Sequence, residues 1–175
     1  MTGRTEPGTP GGATVSAWRI THADFADDPF NGAGAAEAGG RFNSPGRPVV
    51  YAAGSLALAM LEVLVHLDEA AAPGEFVACR LMVEERSVTD LTADLPAGWA
   101  GDPDLSRGVG DRWLASGRSA AAWVPSAVLP FDAAETGERN LMLDPAHADF
   151  PEVILGPPRP FRFDARLADF RPTGD

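Results

Sequence analysis

Apolar and polar residues alternate along several short stretches of the chain, and one longer stretch is apolar on nearly every side. The alternation, with its β-branched and aromatic residues, predicts strands at Val15–Ile20, Pro48–Ala52 and Glu75–Val83. A helix is predicted at Leu56–Leu67, with Ser55 as its N-cap. Because this helix is apolar on almost all sides, we expect it to be central to the core.

The second half of the chain has shorter and more irregular segments. Val109–Ser116 is predicted as a helix, and residues 120–130 as a strand that Pro125 interrupts, which favours a sheet edge or a bulge. Residues 137–150 are predicted as a strand that ends in an Asp-Pro turn, and residues 152–167 as two strands separated by Gly-Pro-Pro. Many short strands with two clear helices predict an α+β fold, not a parallel βαβ array.

The length of 175 residues fits one domain with a sizeable core. Residues 1–13 are rich in Gly, Pro and Thr and are predicted to be a disordered tail, which leaves residues 14–170 as the domain. The glycine-rich and alanine-rich residues 31–40 are predicted to form a flexible loop over a site.

The charge of the chain changes which partners are expected. All 14 basic residues are arginine, against 25 acidic residues, and the net charge is −11. An acidic surface repels phosphate backbones, so direct binding of nucleic acid is not expected. Arginines gathered in one cleft can still bind a small phosphate ligand, because guanidinium groups match phosphate oxygens in geometry.

Neither a membrane span nor a signal peptide is expected, since no apolar run approaches about 20 residues. We therefore expect a cytoplasmic protein. Cys79 is the one cysteine in the sequence, which excludes an internal disulfide. We expect it to be a small apolar residue buried in the core.

Glu62 is the residue that most needs an explanation. Only Glu62 and His66, four residues apart, interrupt the apolar helix. A buried ionised carboxylate costs several kcal/mol unless it is paired or hydrogen-bonded. Glu62 either pairs with an arginine, lies at a solvated edge, binds a metal together with His66, or belongs to an active site. No motif supports the metal site, and the sequence lacks a P-loop, a dinucleotide fingerprint and a Gly-x-Ser-x-Gly elbow.

A series of short motifs resembles the RES domain family, which is named for an arginine, a glutamate and a serine. The order and spacing match from Trp18 to Phe161. The motifs are Trp18-Arg19, Gly39-Gly40-Arg41-Phe42-Asn43, Val49-Val50-Tyr51-Ala52, Leu61-Glu62-Val63-Leu64-Val65-His66, Val124-Pro125-Ser126-Ala127-Val128 and residues 140–150 from Asn140.

The resemblance implies the toxin of a RES–Xre toxin–antitoxin pair. It also implies a mixed, split β-sheet with a few helices, similar to ADP-ribosyltransferases, and an activity that consumes NAD as substrate, with no resident cofactor and no metal. The expected partners are NAD and an Xre-type antitoxin, and the toxin would be associated with DNA only through that antitoxin. The complex could also contain a homodimer of the toxin.

The same resemblance assigns roles to particular residues. Cleavage of the nicotinamide–ribose bond passes through an oxocarbenium-like transition state, which the Glu62 carboxylate would stabilise. Arg41 and Arg19 would bind the pyrophosphate or ribose oxygens, and Tyr51 would pack on or orient the nicotinamide. Ser126 would either hydrogen-bond the nicotinamide ribose or help to position the Glu62 carboxylate. The resemblance also makes Asn140 a candidate for substrate binding, alongside a purely structural role.

Three functions stay open. The first is a toxin that degrades NAD with water or phosphate as acceptor and so arrests growth. The second is an ADP-ribosyltransferase that modifies a specific cellular protein. The third is a catalytically silent module that binds the antitoxin.

Overall fold

The computed structural model describes residues 12–66, 75–129 and 133–170. Most of the predicted tail at residues 1–13, and the predicted helix end at residue 67, lie outside the described residues. Of the tail, Ala13 accepts a hydrogen bond on its carbonyl oxygen from the Glu85 amide, at 2.9 Å.

The described residues form eight strands, four α-helices and several 3-10 turns. The strands are β1 Thr14–His22, β2 Val50–Ala53, β3 Phe76–Glu84, β4 Val88–Asp90, β5 Ala121–Val124, β6 Asn140–Leu143, β7 Ile154–Leu155 and β8 Arg159–Phe161. The helices are α1 Ala33–Ala38, α2 Leu56–Leu64, α3 Pro103–Ser116 and α4 Ala133–Thr136. The 3-10 turns are Ala23–Phe25, Glu85–Ser87, Thr92–Asp94, Phe150–Glu152 and Ala165–Phe170.

The strands make one mixed sheet that is almost divided in two. Their order is β4-β5-β6-β2-β1-β3-β7, and β8 pairs with β3 beside β7. In the described part of the chain, β1 and β2 share the single residue pair Trp18–Ala53, whereas β1 and β3 pair along their whole length. The α+β prediction is confirmed, and the sheet is split between β1 and β2.

Helix α3 covers the β5-β6-β2 half of the sheet. Its N-cap is Asp102, whose carboxylate accepts from the Asp104 amide at 3.0 Å, and Pro103 occupies the first turn. Trp113 is buried and donates from Nε1 to Ser119 Oγ at 3.0 Å, so its polar atom is satisfied inside the core.

Helix α2 packs over the other half of the sheet, but it is less enclosed than its composition predicted. The Ser55 hydroxyl caps it by accepting from the Leu58 amide at 3.1 Å, as predicted. Leu58 is buried against β1 and β3, whereas Leu61 and Val65 are 42% and 56% exposed. The prediction of a helix at the centre of the core was therefore wrong, because only one face of α2 packs on the sheet.

Two further sequence predictions are corrected. The predicted loop at residues 31–40 contains α1, which begins after Asn31 accepts from the Ala33 amide at 2.8 Å and ends at Gly39, with a positive φ of 74°. Strand β5 is not an edge or a bulge, because it lies between β4 and β6 and ends at Val124, before Pro125.

In the described part of the chain, no helix is long and apolar enough to cross a membrane.

Candidate active site

A cleft of about 1060 Å³ opens where β1 and β2 diverge. This volume is slightly above the range of roughly 300–1,000 Å³ that small-molecule sites occupy. Five of the residues predicted from the sequence line it, each from a different part of the fold: Arg19, Arg41, Tyr51, Glu62 and Asn140. The sixth, Ser126, does not line the cleft but lies behind Glu62.

Glu62 is held by two side chains through one oxygen. Its Oε1 accepts from Ser126 Oγ at 2.7 Å and from Asn140 Nδ2 at 2.5 Å. None of the described residues hydrogen-bonds to Oε2. The carboxylate therefore has a fixed orientation and one oxygen left for a ligand.

The register of the sheet explains why these residues meet. Asn140 begins β6 and pairs with Val124 on one side and Ala53 on the other. The chain leaves β5 at Val124 and reaches Ser126 two residues later, so Ser126 and Asn140 lie beside each other. Ser126 is buried, and its Oγ also accepts from the Val128 amide at 3.1 Å.

Asn140 has an unsatisfied atom as well as its bond to Glu62. The side chain is buried, and its Oδ1 has no hydrogen-bond partner among the described residues. Buried carbonyl oxygens in native proteins are almost always paired, so this unpaired oxygen is an unusual feature of the residue that holds Glu62.

Arg19 lies deep in the cleft and is largely engaged by the backbone. Its Nε donates to the Pro29 carbonyl at 2.6 Å and its Nη1 to the Tyr51 carbonyl at 3.0 Å. Burial lowers the pKa of the Arg19 guanidinium, although an arginine stays charged in proteins. Arg19 therefore ties β1 to β2 beside the split, with two of its three nitrogens bonded to the backbone.

Tyr51 presents its ring to the cleft and its hydroxyl to the loop that carries Arg41. The hydroxyl donates to Asn43 Oδ1 at 2.7 Å and accepts from the Phe42 amide at 3.0 Å. Asn43 Nδ2 in turn donates to the Ala35 carbonyl at 2.8 Å. Burial raises the pKa of Tyr51, which keeps the phenol protonated as a donor.

Helix α3 holds the same loop from the other side. Ser106 Oγ donates to the Arg41 carbonyl at 2.7 Å, and Asp111 accepts from both the amide and the hydroxyl of Ser44, at 3.0 and 2.6 Å. A Cβ added at Gly110 would overlap the carbonyl oxygen of Phe42, so only glycine permits this close approach.

Arg41 itself is only partly fixed by protein atoms. Its Nη2 donates to the Ala100 carbonyl at 2.6 Å, and its guanidinium carbon lies 5.9 Å from the centre of the Trp99 ring. No described carboxylate forms an ion pair with Arg41, so its charge is available to an anion in the cleft.

The remaining polar residues separate into those at the cleft and those away from it. His66 lines the cleft one turn after Glu62, and His22 lines it from β1. In the described residues no three His, Cys, Asp or Glu side chains are grouped to hold a metal. Cys79 is fully buried in the core, and burial raises the pKa of its thiol.

Sequence reasoning missed Ser106 and Arg107 because it began α3 at Val109, and it gave no role to Asp111 within that helix. The signal was available, since Asp102-Pro103 is a typical N-cap followed by proline at the first helical position. A helix that begins there places Ser106, Arg107, Gly110 and Asp111 on one face.

The sequence pattern of the RES domain matches residues 16–164. The chain belongs to the RES domain family. This confirms the resemblance that the motifs indicated, over nearly the whole domain.

Relatives of this RES domain carry names that describe toxins. The chain is 34% identical over 154 residues to "Toxin Res" of Yersinia enterocolitica, covering 86% of this chain and 97% of that protein. It is 35% identical over 162 residues to "Prs ADP-ribosylating toxin" of Sphingobium sp., covering 88% and 97%. It is 40% identical over 134 residues to "Toxin Res" of Pseudomonas putida, covering 74% and 84%.

A solved structure shares the fold of this RES domain. The match is to a chain of the Mycobacterium tuberculosis MbcT–MbcA toxin–antitoxin complex, with a TM-score of 0.65. It covers 90% of this chain and 88% of that chain, at 20% sequence identity. At this identity the likeness concerns the arrangement of strands and helices.

Proposed function

We propose that this RES domain is the toxin of a toxin–antitoxin pair and that it cleaves the nicotinamide–ribose bond of NAD. The observation that carries the proposal is the Glu62 carboxylate, which Ser126 and Asn140 hold through Oε1 while Oε2 faces no described partner at the wall of the cleft. The names of the relatives support the toxin role.

The chemistry requires a fixed negative charge beside the sugar. When the bond between the ribose C1′ and the nicotinamide nitrogen breaks, its electron pair goes to the ring nitrogen and the sugar becomes oxocarbenium-like. A preoriented carboxylate stabilises that cation by several kcal/mol in a site shielded from water. Glu62 has this orientation because two donors hold the same oxygen, which leaves the other to bind a ribose hydroxyl.

The other cleft residues suit the rest of the dinucleotide. Arg41 has donors and an uncompensated charge for the diphosphate, and the Tyr51 ring offers an apolar face for the nicotinamide. Asn140 donates from Nδ2 to Glu62 and so helps to orient the carboxylate toward the substrate. Arg19 adds positive charge to the cleft. Its hydrogen bonds to the Pro29 and Tyr51 carbonyls mainly hold the fold together.

A second candidate function follows from one relative. The Sphingobium protein is named an ADP-ribosylating toxin and aligns over 97% of its length. Transfer to a protein side chain uses the same cation as hydrolysis or phosphorolysis, because only the attacking nucleophile differs. The acceptor therefore separates the two candidates: water or phosphate in a degrading enzyme, and a protein side chain in a transferase.

We further propose that an antitoxin, of the Xre type, neutralises the enzyme in the cytoplasm by covering the cleft. Support for a partner comes from the toxin names of the relatives and from the shared fold with a chain of a toxin–antitoxin complex.

The test is to incubate the purified protein with NAD, with and without phosphate, and to follow nicotinamide and the sugar product by liquid chromatography and mass spectrometry. We expect nicotinamide release to fall by a factor of about 10²–10³ in Glu62→Gln. Glu37→Gln, the same change on the exposed face of α1, is the matched control and should retain full activity.

The products identify the acceptor. Free ADP-ribose indicates water, a phosphorylated sugar indicates phosphate, and a mass increase on proteins of a treated lysate indicates transfer. If neither nicotinamide release nor protein modification occurs, the proposal is wrong, and a silent antitoxin-binding module becomes the better explanation.

A further inference from the structure

A third arginine, Arg107, lies in the cleft beside the loop that carries Arg41. It belongs to the second turn of α3, lines the cleft, and has a side chain that is 38% exposed. Its Nε donates to the carbonyl of Gly40 at 3.1 Å, the residue immediately before Arg41. The Arg107 guanidinium is therefore bonded to the residue next to Arg41 in the chain.

The hydrogen bonds of Arg107 leave much of its guanidinium available. Nη1 donates to Asp104 Oδ1 at 3.1 Å, but this carboxylate is 88% exposed, so the ion pair is weak. Within the described residues, Nη2 has no partner. A guanidinium that lines a cleft, is anchored at Nε and keeps Nη2 free can donate hydrogen bonds to an anion.

The charge of the cleft is opposite to that of the whole protein. Three arginines line it, Arg19, Arg41 and Arg107, and Glu62 is the one carboxylate among its lining residues in the described chain. The protein as a whole carries a net charge of −11. A local excess of positive charge in an acidic protein attracts a compact anion to this position.

We propose that Arg107 contacts the diphosphate of the bound dinucleotide, together with Arg41. This inference rests on the proposed NAD-cleaving function and adds a substrate-binding residue on α3. Arg19 also keeps Nη2 free of partners among the described residues, but it is more buried and both of its bonds are to backbone carbonyls, whereas one of the two partners of Arg107 is an exposed carboxylate. Arg19 is therefore less suited to the role. The rival explanation is that Arg107 only fastens the loop to α3 through Gly40.

Two substitutions separate these explanations. In Arg107→Gln, the amide nitrogen lies at the same distance along the side chain as Nε, so the donor to Gly40 is kept and the charge is lost. In Arg107→Lys, the charge is kept and the Nε donor is lost. Anion binding predicts that lysine binds better than glutamine, whereas a purely structural role predicts the reverse order. Arg112→Gln, at an exposed position on the same helix, is the matched control.

The experiment measures the affinity of each full-length variant for ADP-ribose, which contains the diphosphate and lacks nicotinamide, at low and high salt. Nicotinamide release from NAD is measured in parallel. We expect Arg107→Gln to weaken ADP-ribose binding by about tenfold, Arg107→Lys by less, and Arg112→Gln not at all. The difference between wild type and Arg107→Gln should shrink at high salt, because ions screen the interaction.

Wild-type affinity in Arg107→Gln, or tighter binding by glutamine than by lysine, would overturn the inference, as would a wild type that does not bind ADP-ribose. If ADP-ribose binding depends on Arg107 but no nicotinamide is released, the anion site stands and the proposed reaction fails.

Discussion

Tyr51 donates its hydroxyl proton to Asn43 Oδ1 across 2.7 Å, and this bond joins a strand of the sheet to the loop that presents Arg41. The same hydroxyl accepts from the Phe42 amide, so the phenol is both donor and acceptor. Tyr51 therefore has two faces, a ring that lines the cleft and a hydroxyl that fixes the loop. Its contribution to the site includes positioning Arg41.

The ionisation of Tyr51 should be shifted above its usual range. Burial raises the pKa of its phenol, and it is the one tyrosine in the sequence, so phenolate absorbance reports this residue directly. We expect the folded protein to show no phenolate near pH 10, where an unperturbed tyrosine is about half ionised. Addition of denaturant at that pH should release the signal.

The same shift makes stability depend on pH. A raised pKa in the folded state favours the protonated form, so its contribution is complete below about pH 10 and falls as the pH rises above that value. The free energy of unfolding should decrease in this alkaline range, and Tyr51→Phe should reduce that slope. A phenolate that titrates in the folded protein at about pH 10 would contradict the prediction.

Ser126 and Asn140 should act on the reaction through Glu62. Ser126→Ala removes one donor to Oε1, and we expect turnover to fall by about tenfold with little change in KM. The loss should nearly vanish when Ser126→Ala is combined with Glu62→Gln, since the two residues act as a unit. Single-turnover release of nicotinamide is the measurement. Equal losses in both backgrounds would assign Ser126 a separate role.

Asn140→Asp should be more damaging than loss of a hydrogen bond. It places a second carboxylate where Nδ2 now lies 2.5 Å from Glu62 Oε1, and two carboxylates this close cannot both stay ionised. We expect activity to fall at least a hundredfold at neutral pH and to have a shifted pH profile. Asn31→Asp is the control, because aspartate keeps the side-chain oxygen that accepts from the Ala33 amide.

Two glycines of α3 should respond in opposite ways to alanine. Gly110→Ala places a methyl group against the Phe42 carbonyl, so we expect a loss of about 2–4 kcal/mol in the free energy of unfolding and a displaced Arg41 loop. At Gly108 an added Cβ meets only Arg112 Nη1, at 3.5 Å, so alanine should stabilise the helix by up to about 1 kcal/mol. Denaturant unfolding of both variants decides the comparison. Equal effects would contradict the contact between α3 and the loop.

Cys79 and metal ions should be dispensable for turnover. Cys79 is buried in the core, away from the cleft, and burial raises the pKa of its thiol. We therefore expect Cys79→Ser to keep near wild-type activity. The free energy of unfolding should fall by about 1–2 kcal/mol, because the serine hydroxyl is buried. EDTA should leave nicotinamide release unchanged. If either treatment abolishes turnover while Glu62→Gln does not, Glu62 is not the catalytic group.

Local sequence signals predicted several elements correctly because each depends on neighbouring residues. The Ser55 cap fixed the start of α2, and the β-branched runs fixed the centres of β1, β2 and β3. Residues 31–40 were wrongly predicted as a loop because their glycine content hid a short helical run of alanines, whose first amide bonds to Asn31. The exposure of Leu61 and Val65 was also missed, since composition does not show which sides of a helix have neighbours.

The sequence by itself determined the residue types of the site, their order along the chain and the family to which they belong. Only the tertiary structure decided which of them touch. Ser126 and Asn140 lie 64 and 78 residues from Glu62 along the chain, and they reach one carboxylate oxygen because β6 pairs with both β5 and β2. Arg107 enters the cleft for a similar reason, since the helix that carries it packs against the loop of Arg41. Contacts of this kind depend on sheet register and helix packing, which no local pattern in the sequence specifies.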